Sequence, residues 1–246
     1  MNWYKVATEA AAVAVTPAEF GAMTWAEKWD LAKFSTSPLT QRLFFTEKYG
    51  NKSHVLENLA WNRSVHPEVQ PLFFTEEYAG KGGVLQDLAR NESIAPEIQR
   101  PFFTEPCEAG YAVLCNLATN PSITLETQRL FFTEEYGNKS QVLENLAWNR
   151  SVHPEVQRLF FAGEYKRKSE ALYNLACNRS IAPETQLMFF TEKYEEKDNV
   201  LWRLAKNEKF LRDFTRDELL QIKKVARGNL KFHVLSKRLK QIAGVP

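Results

Sequence analysis

Apolar and polar residues alternate along the chain in a pattern that returns every 29 residues. Each period carries a glutamine at the same position, followed closely by a pair of phenylalanines. The glutamines are Gln41, Gln70, Gln99, Gln128, Gln157 and Gln186. The pairs are Phe44-Phe45, Phe73-Phe74, Phe102-Phe103, Phe131-Phe132, Phe160-Phe161 and Phe189-Phe190. A fixed period of this size is typical of solenoids and arrays, in which each repeat is covered by its neighbours.

Each repeat predicts two short helices, which we call helix A and helix B. In helix A the apolar residues recur at helical spacing: Val65, Val69, Leu72 and Phe73. Ser64 is expected to cap this helix, with Pro67 in its first turn. A polar or glycine-rich turn leads to helix B, whose inner face is Val84, Leu85, Leu88 and Ala89. Ser53 and Ser140 are candidate caps of helix B in sister repeats.

Three polar features recur with the same period. Each helix B ends in Leu-Ala-x-Asn, giving Asn62, Asn91, Asn120, Asn149, Asn178 and Asn207. We expect these asparagines to adopt the left-handed conformation and form a ladder between repeats; a row of ligand-binding amides is the alternative. The glutamines are expected to satisfy buried backbone groups. The Thr-Glu pair after most phenylalanine pairs is expected to end helix A.

The repeated motif carries a family resemblance. The segment Leu-Ala-x-Asn-x-Ser-x-x-Pro-Glu-x-Gln, as at Leu88 to Gln99 and Leu175 to Gln186, resembles the leucine-rich repeat variant, a bacterial repeat related to HEAT and armadillo stacks. The opening Leu117 to Ser122 matches its consensus most closely. The resemblance covers about residues 31 to 207 and implies a right-handed superhelix of short paired helices. The 29-residue unit is longer than the family's, and glutamine stands where the family usually has leucine.

We therefore expect an all-α chain that forms a right-handed α-solenoid of about six two-helix repeats. The array spans 31–214, with a helical N-terminal cap at 1–30 and a basic helical C-terminal cap at 215–246. Residues 42–70 and 129–157 differ only at Lys48 against Glu135 and His54 against Gln141. This near-identity indicates a duplicated block of three repeats, and copying favours an array over a unique enzyme site.

Composition narrows the class of protein. The chain is 44% hydrophobic and 25% charged, as expected for a folded protein. Its three cysteines form no Cys-x-x-Cys pair, so neither a metal site nor an iron–sulfur cluster is expected, and reduced thiols indicate a cytoplasmic protein. No apolar run approaches the roughly 18 residues of a membrane span, and Ala10 to Val15 is too short for a signal sequence.

No catalytic constellation is visible. The four histidines, His54, His66, His153 and His233, form no metal-binding or nucleophile motif, and the chain lacks a phosphate-binding loop. We expect no enzyme activity, no cofactor and no small-molecule substrate. A base-excision enzyme of the HEAT-like kind would need aromatic residues and a carboxylate converging on one face, which the sequence does not indicate.

Candidate interaction residues are those that helical geometry directs outward. On helix B they are Trp61, Arg90, Thr119, Trp148, Cys177 and Lys206. Varied residues at one exposed position suit a binding surface, although the tryptophans could instead cover the joints between repeats. On helix A the residue after each glutamine points outward, giving Arg42, Arg100, Arg129 and Arg158, interrupted by Pro71 and Leu187.

The charge distribution adds one more candidate. The formal net charge is +2, yet residues 203–246 carry 12 Lys and Arg against 4 Asp and Glu, which leaves 2 − 8 = −6 for the rest. The basic residues of the C-terminal cap could contact an anion, or could simply be solvated: Lys223, Lys224, Arg227, Lys231, Lys237, Arg238 and Lys240. The sequence thus predicts a non-enzymatic scaffold that binds another protein. The alternative is a nucleic-acid-binding solenoid that uses the arginines and the basic helices.

Overall fold

The computed structural model describes residues 14–75, 78, 80–104, 110–133, 139–163, 165–207, 210 and 214–215. Within these ranges all regular secondary structure is helical and no strand is present, which confirms the predicted all-α class. The chain divides into two compact units, Met1–Thr124 and Leu125–Pro246. Apart from Thr215, the predicted C-terminal cap lies outside the described residues, as do the first 13 residues of the predicted N-terminal cap.

The first unit is a row of short helices connected by tight turns. Its helices are α1 (Pro17–Ala22), α2 (Trp25–Phe34), α3 (Pro38–Thr46), α4 (Lys52–Trp61), α5 (Leu72–Thr75), α6 (Lys81–Arg90), α7 (Pro96–Gln99), α8 (Pro101–Thr104) and α9 (Gly110–Thr119). Helices α2, α4, α6 and α9 pack side by side in chain order, and α3, α5 and α8 each pack on the helix that follows. Helices α4, α6 and α9 are the predicted B helices.

The second unit repeats this arrangement, and each of its A helices has nine residues, as α3 does. Its helices are α10 (Leu125–Thr133), α11 (Lys139–Trp148), α12 (Pro154–Ala162), α13 (Lys168–Cys177), α14 (Pro183–Thr191) and α15 (Lys197–Lys206). The A helices α10, α12 and α14 pack in one row, and the B helices α11, α13 and α15 pack in another. Each A helix also contacts the B helix that follows it.

The core consists of the residues that the periodic pattern marks as apolar. The inner face of α4, formed by Val55, Leu56, Leu59 and Ala60, is fully buried, and its equivalents in the other B helices are buried too. The second phenylalanine of one repeat meets the first of the next edge to face, as for Phe45 and Phe73, whose ring centres lie 4.9 Å apart. In the second unit Phe161 and Phe189 repeat that contact at 4.9 Å.

The asparagines form the expected ladder. Nδ2 of Asn91 donates to the carbonyls of Ala60 and Asn62 at 2.6 and 2.9 Å, which lie one repeat earlier. In the second unit Nδ2 of Asn178 donates to the carbonyls of Ala147 and Asn149 at 2.9 and 2.8 Å. The expected left-handed conformation is wrong, because Asn62 has φ −65° and ψ 114°. An extended residue there ends the helix and aims its amide back at the preceding repeat.

The glutamines satisfy backbone groups of two successive repeats, as predicted. Nε2 of Gln70 donates to the carbonyls of Val65 and Ser93, at 3.2 and 3.1 Å. Its Oε1 accepts from the N–H of Ala95 at 2.8 Å. The side chain is fully buried, so its amide replaces the water that those backbone groups would otherwise bind.

The predicted helix starts need correction. Ser64 does not cap a helix: the helix of its repeat, α5, begins only at Leu72. Pro71 has no N–H to bond to the carbonyl of Pro67, and the bonds around it span three residues, as from the N–H of Leu72 to the carbonyl of Val69 at 3.0 Å. Where helix A is longer, the cap is the residue just before the proline, for example Ser37 before Pro38.

The B helices begin earlier than predicted. The lysine that starts most of them also caps the end of helix A, a contact that the sequence pattern did not predict. Lys52 and Lys139 start α4 and α11, so Ser53 and Ser140 lie inside these helices and are not caps. Nζ of Lys52 donates to the carbonyl of Phe45 at 2.5 Å, one of the last carbonyls of helix A, which have no partner within the helix. The same contact is made by Lys81, Lys139, Lys168 and Lys197.

The Thr-Glu pairs mark the residues at which the A helices end. Helix α3 ends at Thr46 with Glu47 as its cap, and α14 ends at Thr191 with Glu192 as its cap, which confirms that prediction. The hydroxyl of Tyr49 adds a second bond at this end by donating to the carbonyl of Phe44 at 2.8 Å.

Candidate interaction surface

The outward residues of the B helices form the candidate surface. In each unit separately, we call B face the side formed by the third, sixth, seventh and tenth residues of the B helices, which in α4 are His54, Glu57, Asn58 and Trp61. These positions share one side of a helix because they are spaced by three or four residues.

The predicted tenth residues are exposed in five of six B helices. Trp61 is 52% exposed and Trp148 is 47% exposed. Arg90, Thr119 and Lys206 are also exposed, as predicted. The prediction is wrong for Cys177, which is only partly exposed, because Nε of Arg203 in the next repeat lies 2.8 Å from its sulfur.

In the first unit, Trp61 contacts the next repeat and still keeps an open face. Its indole lies beside Asp87 of α6 and acts to lower the pKa of that carboxylate. Burial raises the pKa of Asp87, the carboxylate of Glu57 raises it further, and Arg90 and the indole of Trp61 oppose the shift. Trp61 therefore covers the joint between two repeats on one edge while the rest of the indole stays accessible. This contact fits the joint-covering alternative, and the binding role stays a prediction.

In the second unit, the equivalent of Glu57 is Glu144, which is buried and has a different partner. Glu144, in the sixth position of α11, is only 7% exposed. Its Oε1 accepts no hydrogen bond but lies 3.2 Å from Nη1 of Arg167, the residue before α13. Burial raises the pKa of Glu144, Arg167 lowers it, and Glu170 raises it. The ion pair offsets part of the cost of burying this charge.

The last two B helices bring together two aromatic rings and Arg203, which sequence reasoning did not select, with Lys206, which it did. The guanidinium carbon of Arg203 lies 5.2 Å from the ring centre of Tyr173, and Nζ of Lys206 lies 3.6 Å from that of Trp202. These are cation–π distances. Tyr173, Trp202 and Arg203 stand one turn before the selected tenth positions, on the same side of their helices. Extending the outward pattern back by three or four residues would have found them.

The arginine series lies on or beside the A helices and not on the B face. All four arginines, Arg42, Arg100, Arg129 and Arg158, are exposed as predicted. Arg42 lies 3.6 Å from Glu68, and Arg129 pairs with Glu155. In both cases the carboxylate belongs to the Pro-Glu step of the next repeat. Two of the four charges are therefore already neutralised by the array itself.

Comparison of the chain with protein-family models, curated proteins and solved structures finds no match. The candidate surface therefore has to be interpreted from its own geometry.

The remaining predictions concern the basic C-terminal residues, metal binding and membrane-spanning helices. The basic residues of the predicted C-terminal cap lie outside the described residues: Lys223, Lys224, Arg227, Lys231, Lys237, Arg238 and Lys240. Within the described ranges, no three His, Cys, Asp or Glu side chains are placed to hold a metal ion. In the same ranges, none of the helices has the length and apolar character needed to span a membrane.

Proposed function

We propose that this chain is a non-enzymatic scaffold that binds another protein through its B face. The observation that supports this most strongly is the exposure of two tryptophans at equivalent positions, Trp61 and Trp148, on helices whose inner faces are fully buried. Large aromatic side chains with a polar edge are enriched where proteins bind each other. Each exposed indole leaves apolar area in water, and a partner that covers it would gain the free energy of burying that area.

The proposed architecture is a right-handed α-solenoid of about six 29-residue repeats, of the leucine-rich repeat variant type found in bacteria. Supporting it are the asparagine and glutamine bonds, which connect successive repeats in the same way inside each unit. The 29-residue spacing of the glutamines continues without change from Gln41 to Gln186. We place the protein in the cytoplasm, where its cysteines would stay reduced.

Nucleic-acid binding through the arginine series has less support. A phosphate backbone would have to displace Glu68 from Arg42 and Glu155 from Arg129. Such displacement is possible for exposed ion pairs, which contribute only about 0–1 kcal/mol, but it removes the advantage of a preformed basic stripe.

The proposal is tested by quantitative affinity purification from the native host. The bait variants are Trp61→Ala with Trp148→Ala, and the matched control is Leu39→Ala, because Leu39 is an exposed apolar residue on α3, away from the B face. We expect a defined protein to be retained by the wild type and by the control and lost by the tryptophan double variant. Circular dichroism must show unchanged helicity for all three.

A partner retained equally by the double variant would contradict the proposal. So would loss of helicity in the double variant, since the tryptophans would then be packing residues. A shift of labelled DNA or RNA that weakens as salt is raised, with no protein retained, would favour the nucleic-acid alternative.

A further inference from the structure

Two cations on α15 face a small cavity with no carboxylate among the described residues that line it. Arg203 and Lys206 stand one helical turn apart, in the seventh and tenth positions of α15. The cavity beside them has a volume of about 220 Å³ and is lined by Cys177, Arg179, Arg203, Lys206 and Asn207. A volume of this size accommodates a carboxylate side chain with its solvent.

Aromatic rings, and not acidic side chains, hold these two cations in place. Arg203 lies over Tyr173 and bonds through Nε to the sulfur of Cys177, while Lys206 lies over Trp202. In the part of the chain that the structure describes, neither cation forms an ion pair. The terminal nitrogens of Arg203 thus keep the donor geometry that matches a carboxylate.

The surroundings favour a short acidic segment over a continuous phosphate backbone. Tyr173 also lines a second cavity, of about 190 Å³, whose lining includes Glu144, Glu170 and Glu196. Arg167 pairs with Glu144 and Glu170, so these three carboxylates face one cation and keep a net negative charge. A nucleic acid running along the B face would leave the cations and meet these carboxylates. A peptide can place an acidic residue in the first cavity and a neutral one beside the second, so the local charges select for it.

We propose that Arg203 and Lys206 form the carboxylate-binding site of the B face and that they hold an acidic segment of the partner protein. This inference rests on the proposed protein-binding function and specifies the chemistry of the partner.

The same geometry predicts a spacing in the partner. Trp148 occupies the tenth position of α11, two B helices before Lys206. Packed helices lie about 8–10 Å apart, so the two side chains are separated by roughly 20 Å along the row. An extended peptide rises about 3.3 Å per residue. The partner segment should therefore carry a bulky apolar residue and, about six residues away, its acidic residues.

Fluorescence anisotropy with the full chain tests this site. The probe is a labelled peptide of about nine residues with one leucine and, about six residues on, two adjacent glutamates. The comparison probes replace the glutamates by lysines, or the peptide by a single-stranded deoxythymidine oligonucleotide. The variant is Arg203→Gln with Lys206→Gln, and Arg203→Lys is the conservative replacement. The matched control is Arg63→Gln, since Arg63 is exposed and pairs with Glu92 in the first unit.

We expect saturable binding of the glutamate peptide, weakened about tenfold or more by the double variant and less by Arg203→Lys, with Arg63→Gln unchanged. Equal binding of the lysine peptide, no saturable binding, or an unchanged double variant would overturn the site. Tighter binding of the oligonucleotide, lost in the same variant, would replace the acidic peptide by nucleic acid. If the tryptophan variant loses its partner and the cation variant keeps it, the scaffold function stands and this inference fails.

Discussion

Residues 42–70 and 129–157 are nearly the same sequence placed in two units, and their exposed side chains behave differently. Glu57 pairs with His54 of its own helix, 3.2 Å between Oε2 and Nδ1. Glu144, its equivalent, is buried and pairs with Arg167 of the following repeat. In both segments the buried asparagine accepts from the N–H of the serine two residues on, and the second phenylalanine meets the first of the next repeat edge to face. The copied residues thus form the interior contacts, whereas one substituted position and the residues of the next repeat set the chemistry of the surface.

Two positions account for the difference. His54, the partner of Glu57, is replaced in the copy by Gln141, which donates to Glu144. The residue before the next B helix is Gly80 in the first unit and Arg167 in the second, and both have positive φ, 75° and 57°. The backbone is alike, so the arginine adds only a side chain, and that side chain reaches back to Glu144. A change at this one turn position alters the surface without altering the repeat.

The largest effect is expected from the asparagine ladder, and removing one of its members should destabilise either unit to the same extent. Asn91→Ala and Asn178→Ala each remove three hydrogen bonds, two that the amide donates and one that its Oδ1 accepts from the serine N–H two residues on. The alanine carbonyl of the preceding repeat and that serine N–H lose their partner, whereas the asparagine carbonyl keeps a bond from a valine N–H. At about 1–3 kcal/mol for each of the two unsatisfied groups, the free energy of unfolding should fall by about 2–6 kcal/mol in either case. Urea denaturation followed by circular dichroism measures this loss. A loss confined to one variant would show that the ladders are not equivalent.

A smaller loss of stability is expected in the second unit only. Arg167→Ala leaves Glu144 buried without its cation, which should lower stability by about 1 kcal/mol at pH 7, because Arg167 itself is half exposed. Burial already holds the pKa of folded Glu144 above 4.5, and losing Arg167 raises it further. The ionised carboxylate therefore destabilises the fold at neutral pH, and this cost disappears as the pH falls toward 4.5.

Denaturation midpoints measured from pH 7 down to pH 4.5 check the sign of this effect. Arg63→Ala is the control, because both Arg63 and Glu92 are exposed and their pair should contribute little at any pH. A deficit of Arg167→Ala that grows as the pH is lowered would contradict the account of Glu144.

The smallest effect concerns the lysine that both copies use to cap helix A. Lys52 and Lys139 hold this position in the copies, whereas α9 has Gly110, where an added Cβ would meet no other atom within 4 Å. Gly110→Lys should be more stable than Gly110→Ala by about 0.5–1 kcal/mol, since alanine shares the helix propensity but not the added hydrogen bond. Thermal unfolding of the two variants measures the difference. Equal stabilities would mean that the lysine contact contributes nothing there.

The sequence predicts the interior of this molecule better than its surface, for a physical reason. Asn91, Gln70 and Phe73 bond or pack with residues that recur in every repeat. Their contacts therefore recur with the same 29-residue period, and the period predicts them. The prediction that Ser64 caps helix A was wrong, because Pro71 lacks the N–H that a helix starting near Ser64 would need, and the helix begins only at Leu72. Arg203 was missed because its partners, Tyr173 and Cys177, do not repeat. Contacts between non-repeating residues depend on how two helices are set against each other, which spacing alone does not reveal.

The central claim is that the B face binds a partner while the copied residues build the stack. Site-specific photo-crosslinking in the native host tests it most directly, with benzoylphenylalanine replacing Trp61, Trp148 or Leu39 in turn. We predict a discrete adduct with another protein from positions 61 and 148 and none from position 39, which is equally accessible but lies on α3. Adducts from position 39 alone, or from none of the three, would contradict the claim.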